Sequence, residues 1–218
     1  MARSSLRSDP SMLQALLARG GVSLGAQELD QLWRYYVLLH LRNPDHALTA
    51  SVGLQDVAIK HFLDCAMVPD FVSLPSPLLD IGSGAGFPGV VLKIMKPELH
   101  VVLAEERPRK AAFLRELLAE LALSDVEVFA RRVWAQSPLD VSAVITRAVE
   151  PVLTTLMRCR RFLRPGAAAI FMKGPSVDSE LRDAARRSRD AYVLRKDIAY
   201  ALPGTSYQRR ILVYERTS

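Results

Sequence analysis

Apolar residues recur at helical spacing through the first third of the chain and then gather into short runs. Met12, Leu13, Leu16 and Leu17 form one stripe, and Leu29, Leu32, Trp33, Tyr36, Val37 and His40 a second. Ile59, Phe62, Leu63, Ala66 and Met67 form a third. Each predicts an amphipathic helix whose stripe faces a core, and none is assigned chemistry. Residues 68–77, with three prolines, divide this region from the next. Beyond them, Leu78–Gly82, Val101–Glu105, Val126–Ala130, Val141–Thr146 and Ala167–Lys173 read as strands, with helices near Pro88–Lys96, Phe113–Leu121 and Val152–Phe162. A basic helix and two more strands follow, near Tyr192–Tyr200 and Gln208–Glu215. Such alternation predicts an α/β fold with a mostly parallel sheet covered on both faces. No helix precedes the final strand, so it is expected to pair antiparallel, at the end of the sheet. The expected division is an N-terminal helical region, 1–70, packed on a second unit, 71–218.

Composition adds limits more than identity. A chain of 218 residues buries about 70% of its unfolded surface and needs no disulfide or metal staple. Its two cysteines, Cys65 and Cys159, lie far apart, and its four histidines lack zinc-site spacing. No metal is expected. The first ten residues hold no signal-like apolar core, and no apolar run reaches membrane-spanning length, so a cytoplasmic protein without membrane association is expected. The net charge of +6 suits a phosphate polyanion, although an arginine-rich background composition would give the same excess.

The chemistry concentrates in Leu78–Gly89, LLDIGSGAGFPG. Gly82, Gly84 and Gly86 end the first predicted strand just before a helix, where backbone can approach a ligand closely. A tight strand-to-helix turn alone seldom needs so many glycines. Counted from Gly82, the dinucleotide pattern fails at its sixth position, Phe87. Counted from Gly84 it reaches Gly89, but Pro88 intervenes and brings no N–H for a pyrophosphate. No Gly-Lys-Ser/Thr follows, which excludes a P-loop. The spacing D-x-G-x-G-x-G, opened by Asp80, instead resembles the first motif of class I, Rossmann-like methyltransferases, whose loop wraps S-adenosyl-L-methionine. Glu105 and Glu106 end the second strand, where a carboxylate can accept from both ribose hydroxyls. The competing reading is a surface acid paired with Arg107, Arg109 or Lys110.

With these residues in place, nearly the whole chain resembles the glucose-inhibited division protein B family of small-subunit ribosomal RNA methyltransferases. The resemblance is carried by KHFLDC (Lys60–Cys65), DIGSGAGFPG, AEERPRKAAFL, TRA (Thr146–Ala148), FMKG (Phe171–Gly174) and RRILVY. It implies methylation of guanosine N7 in 16S rRNA with S-adenosyl-L-methionine, the small ribosomal subunit as partner, and no obligate protein partner. It also implies cofactor contacts from Gly82 and Phe87, from Glu105, Glu106 and Arg107 around the ribose, from Val133 and Trp134 beside adenine, and from Arg147. Two positions depart from the family. Trp134 stands where Glu is usual, which would leave only a backbone contact. Ala47 stands where Asn is usual, which would lose any RNA contact that Asn made.

N7 of neutral guanine has a free lone pair, so the acceptor needs no general base, only alignment. No catalytic acid or base is therefore required. Positive charge moves onto the base, which makes Arg147 a poor purine stabiliser; it is instead a candidate positioning residue for the cofactor carboxylate or an RNA phosphate, or else a structural ion pair with a strand-end acid. Glu150, which could be read as a base, is expected instead to pair with an arginine or to ease the positive charge arriving on the purine. Arg158, Arg160, Arg161 and Arg164, then Arg182, Arg186, Arg187 and Arg189, then Arg209 and Arg210, are the candidate phosphate contacts. The alternatives are a methyltransferase for a small molecule or protein, a nicotinamide-dependent oxidoreductase, and an RNA-binding protein with a vestigial loop.

Overall fold

A computed structural model describes residues 9–218. Helices α1 (Pro10–Arg19), α2 (Ala26–His46), α3 (Leu54–Val57), α4 (Asp64–Ala66) and α5 (Val68–Phe71) precede the sheet, with one π-helical stretch, Ala58–Leu63, joining α3 to α4. The strands are β1 (Leu78–Ile81), β2 (Val101–Ala104), β3 (Val126–Phe129), β4 (Ala143–Arg147), β5 (Ala168–Lys173), β6 (Tyr192–Ala201) and β7 (Gln208–Arg216). Between them lie α6 (Gly89–Met95), α7 (Pro108–Glu120), α8 (Val152–Cys159) and α9 (Asp178–Arg187).

The sheet order is β3-β2-β1-β4-β5-β7-β6. The first five strands pair in parallel, while β7 runs antiparallel to both β5 and β6. This corrects one expectation. The final strand is antiparallel but lies inside the sheet, and β6 is the edge. A direct β6–β7 hairpin allows this, because the returning strand takes the open side of β5 while its predecessor stays outside.

Alternate residues of each central strand serve opposite cores. Leu78, Leu103 and Ile145 join a cluster with α2, α6, α7 and the π-helical stretch. Leu79, Ile81 and Val144 join another with α8 and Ala184 of α9. The helices before β1 thus share one continuous core with the sheet.

Three local readings shift. The buried face of α2 is Leu32, Tyr35, Tyr36, Leu38 and Leu39, whereas Val37 and His40 are exposed. The proline-rich divider begins as helix α5. The basic helix α9 carries Asp178, Glu180 and Asp183 beside its three arginines, so it is balanced in charge.

Candidate functional site

The parallel strands end on one edge, and the strand order reverses between β1 and β4, where α/β sheets bind ligands. A cavity of about 390 Å³ opens there. Its walls come from the ends of β1 (Ile81, Gly82, Gly84), β2 (Ala104 to Arg107) and β4 (Ala148 to Glu150), together with Arg131 to Val133 after β3.

Glu105 organises the β2 wall. Its carboxylate accepts from the Gly84 N–H at 3.0 Å and from the Arg107 N–H at 2.8 Å, and the residue is buried. A charge-assisted pair of backbone bonds fixes the acid and leaves further lone pairs for a ligand. Gly84 has φ of +60°, and a Cβ there would meet only the Gly82 carbonyl, at 3.8 Å. Its open side is therefore free for a ligand. Gly86 answers a different need: a Cβ would stand 2.6 Å from the Tyr35 hydroxyl, which donates to the Ala85 carbonyl at 2.6 Å.

Asp80 lies beneath the loop and does not line the cavity. One carboxylate oxygen accepts from the Gly89 N–H at 2.9 Å, while Oδ1 is buried without a partner. Burial pushes its pKa up to about 7.

Phe87 and Arg147 also lie behind the loop. Phe87 is buried, its ring stacked 4.6 Å from His61 and 5.3 Å from Tyr35. Arg147 donates to the Lys60 carbonyl at 3.0 Å and to Asp64 at 3.3 Å, and also contacts His61 Nδ1. Asp64 in turn accepts from Tyr200 at 2.7 Å and from Arg209 at 3.4 Å. Arg147 thus makes a structural ion pair, but its acid comes from α4 and not from the strand end expected. His61 is driven down to about 3 by burial and then by the Arg147 charge. Because guanidinium cannot accept, Nδ1 must accept, which puts the proton on Nε2, 3.2 Å from Thr49 Oγ1.

Val133 is buried against the cavity, but Trp134 lies outside its wall. The Trp134 N–H already donates to Ser137 Oγ at 2.8 Å, so the backbone contact expected there is taken. The indole is 53% exposed, beside Arg132 at 4.5 Å and Arg158 at 5.8 Å. Glu106 and Arg107 line the cavity, Glu106 lying 3.7 Å from Arg132. Glu150 pairs with an arginine as expected, holding Arg158 at 2.6 Å and Thr155 at 2.8 Å.

The structure divides the candidate phosphate contacts. Arg158, Arg164, Arg186, Arg189, Arg209 and Arg210 all pair with carboxylates. Among the described residues, Arg107, Lys110 and Arg131 line the cavity without an ion pair. Sequence reasoning missed Arg131, Ala148 and Val149; the signal was their place just after β3 and β4. Ala47 caps α2 with φ of +46°, a left-handed conformation that Asn adopts more readily than Ala. The usual Asn at that position thus has a backbone reason, and Asn43 Oδ1 holds the following turn here through the Leu48 and Thr49 N–H groups.

Comparison with known proteins bears on the fold and on the family. A crystal structure of a mutant of MtNAS in complex with S-adenosylmethionine, 13% identical, has a TM-score of 0.58 over 99% of this chain and 80% of that one. A SAM-dependent methyltransferase from Aquifex aeolicus, 18% identical, gives 0.54 over 73% and 93%. These likenesses show the fold, that of the class I methyltransferases. Relatives named ribosomal RNA small subunit methyltransferase G are closer in sequence. The Carboxydothermus hydrogenoformans protein is 35% identical over 94% of this chain and 90% of its own length. A Syntrophobacter fumaroxidans protein, named with the suffix 2, is 42% identical over 95% of this chain, which spans 42% of that longer relative. Residues 28–210 match the family described as rRNA small subunit methyltransferase G, and the chain belongs to that family.

Proposed function

We propose that this protein transfers a methyl group from S-adenosyl-L-methionine to N7 of a guanosine in 16S rRNA of the small ribosomal subunit. The observation that carries the reading is the placing of Gly82, Gly84 and Glu105, on a family-matched chain, around one cavity at the strand-order reversal. The residues fit the cofactor: an open glycine surface, a fixed carboxylate for a diol, and apolar Ile81, Val133 and Val149 for a planar base. Bound there, S-adenosyl-L-methionine would supply an electrophilic methyl group on a sulfonium.

The chain's own part is to bind and align. Glu105 would hold the ribose hydroxyls through its unused lone pairs, with Glu106 and Arg107 beside it. Gly84 keeps the loop wall bare. Glu150 is occupied by Arg158 and Thr155, so it is not free to take a proton. Asp80, the carboxyl raised toward neutrality, is sealed beneath the loop. Glu105 and Glu106, the other carboxylates of the wall, are given to the ribose, and N7 asks for no general base. Arg107, Lys110 and Arg131 would meet RNA phosphates at the mouth.

Calorimetric titration with S-adenosyl-L-methionine and with NAD, followed by labelled-methyl transfer to purified small- and large-subunit rRNA, tests this. Binding of the first ligand alone and label in small-subunit RNA are expected. NAD binding, or label confined to a protein or small molecule, would overturn it.

A further inference from the structure

Among the described Phe, Trp and Tyr side chains, only Trp134 and Tyr207 are exposed. Trp134 stands beside cations of the cavity wall. Tyr207 has no such tie, being 39% exposed in the turn between β6 and β7. Its position follows from topology. Strand β6 is antiparallel to β7, which is antiparallel to β5, so β6 runs with the parallel strands. The turn after it therefore lies on the same sheet edge as the glycine loop.

Two cations stand against the Tyr207 ring, Lys60 Nζ at 5.3 Å and the Arg209 guanidinium at 5.5 Å from its centroid. Neither is loose: Asp56 holds Lys60 at 2.7 Å, and Asp64 holds Arg209 at 3.4 Å. Lys60 precedes His61, whose ring stacks on Phe87 of the loop. A base on Tyr207 would thus lie close behind the loop that lines the cavity. Contact with the two cations fixes the ring, and an exposed aromatic held in place is the arrangement on which single-stranded nucleic acid stacks a base.

We propose that Tyr207, held in place by Lys60 and Arg209, is the stacking site for an unpaired base of the rRNA segment that carries the target guanosine. This rests on the rRNA reading above and adds a specificity for unpaired RNA. Trp134 is left to the cofactor side of the cavity, because its cations line that wall.

The test uses the full chain with a short fluorescein-labelled RNA bearing a central guanosine, free and annealed to its complement. Tyr207→Ala should weaken the single strand by about 5- to 150-fold, the worth of one stacked base. Duplex affinity and S-adenosyl-L-methionine affinity should hold, and Tyr207→Phe should restore single-strand binding. An unchanged single-strand affinity for Tyr207→Ala overturns the site, as does an equal loss on duplex, which would mark general electrostatics. Wild-type protein that binds neither RNA overturns the stacking site, and if it also transfers no methyl to purified small-subunit rRNA, the rRNA reading falls with it. If wild type binds and methylates RNA while Tyr207→Ala binds it equally well, the stacking site alone fails.

Discussion

The two sides of the glycine loop are built on opposite principles. In front, the cavity is open, its glycine surface bare, its Glu105 carboxylate held but not saturated, and three of its cations unpaired. Behind, Phe87, His61, Arg147 and Asp64 form a closed knot in which nearly every polar atom has a partner. The difference teaches where rigidity comes from. A loop of glycines is entropically costly to fix, and here the fixing groups come from the helical region before β1 and from β4, β6 and β7. The reactive side can then stay free of protein contacts. Substitutions in front should change cofactor affinity more than stability, and substitutions in the knot behind should change stability more than cofactor affinity.

The largest effect is expected in front. Glu105→Ala removes a charged acceptor, and two hydrogen bonds to such a group are worth enough to weaken S-adenosyl-L-methionine by about 100-fold or more. Gly84→Val should match it by filling the open side at a positive φ. Calorimetry reads the affinity and circular dichroism the fold; unchanged affinity in folded variants contradicts the assignment of this wall.

Behind the loop, Asp64→Ala strands Arg147 and Arg209, the first only 16% exposed at its side chain. Removing one partner of such a buried pair costs about 3–5 kcal/mol. Urea unfolding should show that loss, with cofactor affinity falling only as far as the folded fraction does. A stable Asp64→Ala protein would mean the knot is not what holds the loop.

A finer test uses pH. His61 has a lowered folded pKa, about 3, so its stability contribution is present above about 6.5, its unfolded value, and is lost as pH falls toward 3. Asp80 is raised, to about 7, so its contribution is present below about 3.9 and is lost as pH rises toward 7. Across about pH 4.5 to 6.5 the two slopes oppose, each at most about 1.4 kcal/mol per pH unit. His61→Gln should make stability fall more steeply with rising pH, and Asp80→Asn should make it rise. Parallel curves for wild type and both variants would refute these environments.

The smallest effect belongs to Ala47→Asn. Relief of its left-handed strain should add about 0.5–1 kcal/mol without altering RNA affinity. A gain in RNA affinity instead would restore the contact reading of that position.

How far the sequence reaches follows the same division. The front was legible because its signals are local: D-x-G-x-G-x-G fixes a turn within a few residues, and Glu105 ends an apolar run that reads as a strand. The back was not. Arg147 meets Lys60 and Asp64 across separations of 87 and 83 residues, which no spacing rule reports. The sequence suggests a strand-end acid as its partner, whereas the acid, Asp64, comes from α4. The π-helical stretch escaped for a related reason, since Phe62, Leu63 and Ala66 keep an ordinary helical stripe. The face of α2 was misplaced because Val37 and Tyr35 are both apolar, and only packing against the Phe87 ring chooses between them. The place of β7 inside the sheet is likewise a matter of pairing, not of pattern.

Transfer to guanine N7 needs alignment and no general base. The most direct measurement is single-turnover methylation of small-subunit rRNA from about pH 6 to 9, with the product mapped by mild reduction and aniline cleavage. A nearly flat rate and a strand break at one guanosine are predicted. A cleavage-resistant product whose rate rises tenfold per pH unit would contradict it, and would assign the acceptor to an amine or a hydroxyl.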